Sequence, residues 1–162
     1  GRLSLETARE IGLAGVAARA CGLENDVRND QPYGAYLLDC PPLQSYPSGD
    51  CYARAYVRWL EIKQSIAFIY RQLESCRPEE ATFTACGCIG PEQLCVSLCE
   101  GWRGEICHVA LSDEHGSFSC YKITDPSFHN WFGLAMALRS QQISDFPLCN
   151  KSFSLSYCGH DL

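Results

Sequence analysis

Glu100-Gly101-Trp102-Arg103-Gly104-Glu105 runs into Ile106-Cys107-His108-Val109-Ala110-Leu111, and Asp113-Glu114-His115-Gly116 separates that run from Phe118-Ser119-Cys120-Tyr121-Lys122. Two alternating runs joined by a polar turn ending in glycine predict a β-hairpin over 103–124. Ile106, His108 and Ala110 alternate with Cys107, Val109 and Leu111, so the pleat divides them between two faces. The rest of the chain reads as helix or loop. The expected fold is therefore mainly α with a small β-hairpin (α+β).

Working toward the C-terminus, Asp125-Pro126 opens a helix, with Asp as the N-cap and Pro at the first helical position. It runs to about Arg139. Residues 142–162 read as a short helix and an irregular tail that tucks back on the body. Working toward the N-terminus, 77–100 reads as irregular and holds Cys86, Cys88, Cys95 and Cys99 among Gly87, Gly90 and Pro91. Residues 50–76 are the clearest helix. Ala55, Trp59, Ile62, Ile66, Ile69 and Leu73 recur at helical spacing and draw one apolar stripe, and Asp50 is a suitable N-cap. Tyr56, Leu60 and Phe68 lie off that stripe, which suggests packing on more than one side. Residues 23–50 read as a long loop punctuated by Asn, Asp, Pro and Gly, a length that is often functional. Ser4 or Thr7 caps a first helix expected to reach about Ala20 and to end at Gly22, with Gly12 and Gly15 weakening it or allowing close packing.

Composition narrows the function classes. The chain has 162 residues, 46% hydrophobic and 20% charged, enough for one domain with a core. Its net charge of −6, with only 13 Lys and Arg, disfavours nucleic acid as a partner. No apolar run approaches the ~18 residues that span a membrane, so no transmembrane segment of its own is expected. Twelve cysteines would suggest disulfides in a small secreted protein. The long helical patterns instead read as a chain with a core of its own, and the thiols as mostly reduced and buried. No Ser/His/Asp or Cys/His/Asp set supports hydrolase chemistry, and no glycine loop supports nucleotide binding.

Several ordered segments together carry a resemblance. They are Gly12-Leu13-Ala14-Gly15-Val16-Ala17-Ala18-Arg19-Ala20-Cys21-Gly22, then Asp26-Val27-Arg28, then Gln31-Pro32-Tyr33-Gly34-Ala35-Tyr36. Arg54, Arg58 and Gln64-Ser65 follow on the long helix, then Glu100 to Glu105, Asp125 to Trp131, Ser144-Asp145-Phe146-Pro147 and the tail from Asn150 to Leu162. This order resembles the C-terminal portion of the large subunit of energy-converting [NiFe] hydrogenases and its homologue, the 49-kDa-type subunit of respiratory complex I. The resemblance implies the C-terminal part of a hydrogenase-large-subunit-like fold, with residues 1–162 forming one domain, a C-terminal fragment of a longer subunit. It implies a place in a membrane-bound redox complex of NADH:quinone oxidoreductase or hydrogenase type, cytoplasmic and peripheral to the membrane. The partners would be a small iron–sulfur subunit and the other subunits of the complex. Such a fragment should expose a large apolar patch, built partly from the long helix and from Trp131 and Phe132.

The tail bears on the chemistry. Aligning Ser152 with the family's serine puts Ser154 on the aspartate, Ser156 on the first nickel-ligating cysteine and Gly159 on the second, with Cys158 one residue off register. A thiolate nickel site needs sulfur at both positions. The resemblance therefore implies no cofactor in this chain, no turnover by the chain alone, and quinone or NiFe-type chemistry only through the family. A non-catalytic scaffold and a cysteine-rich metal-binding module are the alternatives.

The residues expected to line a cavity are Glu100, Arg103, Glu105, Asp145, Ser156 and Cys158. Arg103 matches the arginine that overhangs the hydrogenase metal cavity, where a guanidinium holds an anion or a polar substrate; a structural ion pair with Glu100 or Glu105 is the plainer reading. The three carboxylates are proton-relay candidates if buried, and surface charges or caps if not. Asp26 and Arg28 read as a structural pair. Metal is not expected, although Cys86, Cys88, Cys95 and Cys99 form a conceivable four-thiolate set. His108, His115, His129 and His160 each read as structural, with His160 and Cys158 a remote metal pair.

Overall fold

A computed structural model describes residues 1–75 and 87–157. Among the described residues six helices and three strands follow one another: α1 Leu5–Glu10, α2 Gly15–Arg19, α3 Val27–Asp30, α4 Cys51–Ser75, β1 Leu94–Glu100, β2 Glu105–Ser112, β3 Phe118–Thr124, α5 Ser127–Ala137 and α6 Phe146–Phe153. Single 3-10 turns occupy Gly34–Leu37 and Ile143–Asp145.

The first helix stops early. Ser4 caps α1 by accepting from the Thr7 N–H at 3.1 Å. The chain then leaves helical geometry at Gly12 and Gly15, whose φ values are +67° and +59°. A left-handed backbone ends one helix and opens the next, so the single helix expected over 4–20 is two short ones meeting at an angle. α2 is buried along its whole length, Arg19 included.

The antiparallel sheet has three strands in the order β1-β2-β3. The hairpin lies where its alternation placed it. The Asp113 carboxylate accepts from the His115 and Ser117 N–H groups and fixes the turn, and Gly116 takes φ +75°. The irregular reading of 77–100 is corrected at its end: Leu94 to Glu100 pair in register with Leu111 to Glu105. In the loop expected over 23–50, Asp26 caps the single-turn α3.

α4 matches its expected span, and the Asp50 carboxylate accepts from the Ala53 N–H at 2.8 Å. Its buried face is not the apolar stripe. Ala53, Arg54 and Val57 turn inward, whereas Trp59, Ile62, Ile66, Ile69 and Leu73 are 42–66% exposed.

The main core joins the N-terminal helices to the C-terminal ones. Leu3, Ala8, Leu13, Ala17, Ala18, Cys21 and Leu23 pack against Leu134, Ala137, Cys149, Phe153 and Leu155. Burying a side chain such as Phe153 contributes about 1.5–3 kcal/mol. A smaller cluster of Val16, Ala20, Ala53 and Val57 seats α2 on α4. Asn130, buried on α5, bridges the halves: its Oδ1 accepts from the Ala14 N–H at 3.0 Å and its Nδ2 donates to Ala14 O at 3.2 Å.

Candidate functional site

Arg19 ends α2 inside the protein, fully buried. A guanidinium there needs partners on every side, and three elements supply them. From α4, Glu61 Oε1 accepts from Arg19 Nε at 2.8 Å. From the end of β1, Glu100 Oε1 accepts from Nη1 at 2.9 Å, and Asn25 O accepts from the same nitrogen. Asp26 Oδ2 lies 3.6 Å away. Nη2 is 2.7 Å from Glu61 Oε1 at an angle that makes the contact ionic rather than a hydrogen bond.

Asp26 also holds Arg28. Arg28 Nε donates to Asp26 Oδ1 at 2.9 Å and Nη2 to Oδ2 at 2.5 Å, a two-pronged pair beneath α3. The cluster thus sets two guanidiniums against three carboxylates. Burial raises the Asp26 pKa, but the Arg28 hydrogen bonds and the charges of Arg19 and Arg28 outweigh it, so the carboxyl sits below its ordinary value. Glu100 goes the other way. Burial pushes it above its ordinary value, and the Arg19 charge offsets this only in part.

A cleft of about 320 Å³ opens against this cluster, lined by Gly12 to Gly15, Asn25, Asp26, Val27, Asp30, Glu100, Glu105 and His129. Glu105 reaches its rim exposed to solvent, so of the two readings offered for it, relay if buried and surface charge if not, the surface one holds. Asp145 is likewise exposed and serves as a cap, its Oδ2 accepting from the Gln142 N–H at 3.1 Å. Only Glu100 among the three is enclosed.

Three other arginines clasp the tail. Arg54 Nε donates to Ser152 Oγ at 2.8 Å, and its guanidinium lies 4.2 Å above the Phe153 ring. Arg58 donates to Ser152 O and, at 2.7 Å, to Phe153 O. Arg103 Nε donates to Ser154 O. The plainer reading of Arg103, an ion pair with Glu100 or Glu105, is therefore not taken up: Arg19 engages Glu100, and Arg103 turns to the tail. Burial and the neighbouring Arg54 charge bring the Arg58 pKa down to about 10. Ser154 turns the chain out of α6 in a left-handed conformation, φ +56°. Ser156 is then fixed by its own backbone: its N–H donates to Ser127 Oγ at 2.9 Å and its carbonyl accepts from Trp131 Nε1 at 3.1 Å. Arg103, Asn150, Lys151 and Tyr157 form the polar side of a second cleft of about 360 Å³, with Phe146, Pro147 and Leu155 its apolar side.

Cys158, Gly159, His160 and Cys86 lie outside the described residues. Of the four-thiolate set, Cys95 and Cys99 share one face of β1, and Tyr33 donates its phenolic hydrogen to Cys99 Sγ at 3.1 Å. That bond, with partial burial, raises the Tyr33 phenol to about 12. Among the described residues no three His, Cys, Asp or Glu side chains converge as metal ligands. Position 156 carries a serine hydroxyl.

Arg19 and Glu61 were missed as site residues. A usable signal existed for Arg19: it is the one charge in an eight-residue run of small and apolar residues, Gly15 to Gly22. Such a run folds into the core and takes its charge with it.

The Glu100 shift gives a pH prediction. Its folded pKa is raised above 4.5, so its favourable contribution is complete below that value and is lost as pH rises through the folded pKa. Asp26, lowered from 3.8, contributes stability above that value and loses it as pH falls through its folded pKa. Glu100→Gln should therefore gain stability relative to the parent as pH rises from 4.5 toward neutrality. Urea melts across that range read the difference; a gap that stays constant contradicts the assignment.

A family model described as the 49-kDa subunit of respiratory-chain NADH dehydrogenase matches residues 1–86. The chain is 33% identical over 150 residues to an NADH-quinone oxidoreductase subunit of Solibacter usitatus, a match covering 90% of this chain and 40% of that protein. It is 31% identical over 148 residues to the carbon monoxide-induced hydrogenase of Rhodospirillum rubrum, covering 91% and 41%. Among solved structures, a chain of the membrane-bound sulfane sulfur reductase, an archaeal respiratory membrane complex, superposes with a TM-score of 0.84 at 25% identity, over 99% of this chain and 45% of that one. The chain spans about two fifths of the length of these curated relatives.

Proposed function

Because the chain belongs to the family of the 49-kDa subunit of respiratory-chain NADH dehydrogenase, we propose that it forms one wall of a redox cavity in a membrane-associated oxidoreductase. In that cavity, electrons from a small iron–sulfur subunit pass to a quinone. The observation that carries this reading is the clasp of Arg54, Arg58 and Arg103 on residues 152–154. It holds the tail against the body although the position of the first family thiolate is occupied by Ser156. A tail kept in place without its metal ligands suits a cavity wall better than a nickel site. Arg103 and Lys151 give the wall positive charge beside the apolar surface of Phe146, Pro147 and Leu155, which matches a quinone headgroup and its anionic reduced forms. Glu100, buried and raised at the first cleft, is the group suited to hold a proton.

The test is electron transfer by the intact complex that contains the full-length subunit. Quinone reduction with far less than one nickel per complex supports the reading. Steady hydrogen evolution with about one nickel per complex overturns it.

The outward stripe of α4 supplies the docking surface in this reading. Among the described residues no helix is long and apolar enough to cross a membrane, so attachment would run through neighbouring subunits. Phe132 is 59% exposed and extends the apolar surface on α5, while Trp131 is half-buried against the core. Ile66→Glu with Ile69→Glu should change the stability of the chain by no more than about 0.5 kcal/mol per site, since both side chains project from the body. The same pair should release the subunit from the purified complex, which blue-native electrophoresis reads. Retention of the doubly charged variant would place the docking surface elsewhere.

A further inference from the structure

Two thiols from elements 98 residues apart meet beside the first residue of the chain. Cys51 opens α4 and is half-buried; Cys149 lies within α6 and is 1% exposed. A methyl group placed on Gly1 would stand 2.9 Å from Cys51 Sγ and 3.4 Å from Cys149 Sγ, which confines the two sulfurs to within about 6 Å of each other. Cys51 packs against the core cluster that contains Cys149. Arg54, buried beneath them, points Nη2 at Cys51 Sγ from 3.4 Å. Cys51 is the more accessible of the two and is the one an oxidant meets first.

We propose that Cys51 and Cys149 are a redox-reactive dithiol that closes to a disulfide and staples the tail helix α6 to the start of α4. A small disulfide RSSR is a sufficient oxidant. The Cys51 thiolate attacks one sulfur of RSSR, the S–S bond breaks, and RS⁻ leaves with the proton that Cys51 gave up. Cys149, deprotonated in turn, attacks Cys51 Sγ in the mixed disulfide; the second RS⁻ leaves and takes the Cys149 proton. Two protein thiols are oxidised by two electrons, and one RSSR is reduced to two RSH. The bridge closes at the segment whose carbonyls Arg58 and Arg103 hold, so oxidation fixes the tail to the body covalently. The inference does not depend on the cavity reading.

The test treats the full chain with oxidised glutathione, traps remaining thiols with iodoacetamide, and maps the peptides by mass spectrometry. The expected dominant product joins Cys51 to Cys149. Closing so long a loop should raise the thermal midpoint by roughly 10 °C, reversibly with dithiothreitol. Cys51→Ser and Cys149→Ser should each abolish that rise. Alkylation of both thiols after oxidation, or glutathione left on Cys51 without closure, overturns the proposal. The map of the parent chain decides the linkage even if a serine variant fails to fold.

Discussion

Arg19→Met is expected to destabilise the chain by about 3–5 kcal/mol, a large share of the 5–15 kcal/mol that holds a domain together. Methionine fills much of the same volume but withdraws the charge and every donor. Glu61 and Glu100 lose direct hydrogen bonds, Asn25 O loses its donor, and Asp26 keeps Arg28 alone. The desolvated carboxylates then repel one another with one guanidinium left among them. The loss should appear as a lower urea midpoint with an unchanged slope. Adding Glu100→Gln should restore part of it, because the second substitution removes a charge that the first left uncompensated. A loss in the double variant equal to the sum of the two single-variant effects would mean that Arg19 and Glu100 act independently despite their 2.9 Å contact.

Gly15→Ala should cost about 3 kcal/mol or more. The left-handed backbone accounts for only part of this. An added Cβ would stand 2.2 Å from Gly104 Cα and 2.3 Å from Arg103 O, and neither backbone atom can rotate away. The turn before β2 and the start of α2 would have to separate, displacing Arg103 from Ser154 and Asn130 from Ala14 together. Gly12→Ala is the control. Its φ is +67°, but nothing lies within 4 Å of the added methyl, so it should lose only the ~1–2 kcal/mol of left-handed strain. Matching thermal midpoints for the two variants would refute the backbone contact.

Much of this architecture can be read in the chain itself, and the parts that cannot have identifiable causes. The hairpin is legible because Ile106 to Leu111 alternate and Asp113 to Gly116 spell a turn. β1 is harder to see: in Leu94-Cys95-Val96-Ser97-Leu98-Cys99, cysteine counts as polar or apolar according to its setting, which blurs the period. The break between α1 and α2 brings Gly15 against Gly104, 89 residues away, a contact that local spacing cannot reveal. The stripe on α4 shows helical phase but not which face a neighbour covers. Here Arg54, Arg58 and Glu61 turn inward because their partners, Ser152, Phe153 and Arg19, lie within the protein. Of the cavity residues expected from the resemblance, Glu100 and Arg103 occupy enclosed or tail-binding positions. Glu105 and Asp145 face solvent, which a carboxylate's position in a motif does not reveal.

The most direct measurement isolates the complex that contains the full-length subunit from its host membranes and records its subunit composition and low-temperature EPR spectrum. The predicted result is co-purification, near one to one, with an iron–sulfur subunit whose cluster signal is quenched on adding quinone to the reduced complex. Recovery of the subunit free of any iron–sulfur partner, or a reduced cluster that quinone leaves unchanged, would contradict a cavity wall at which electrons meet quinone.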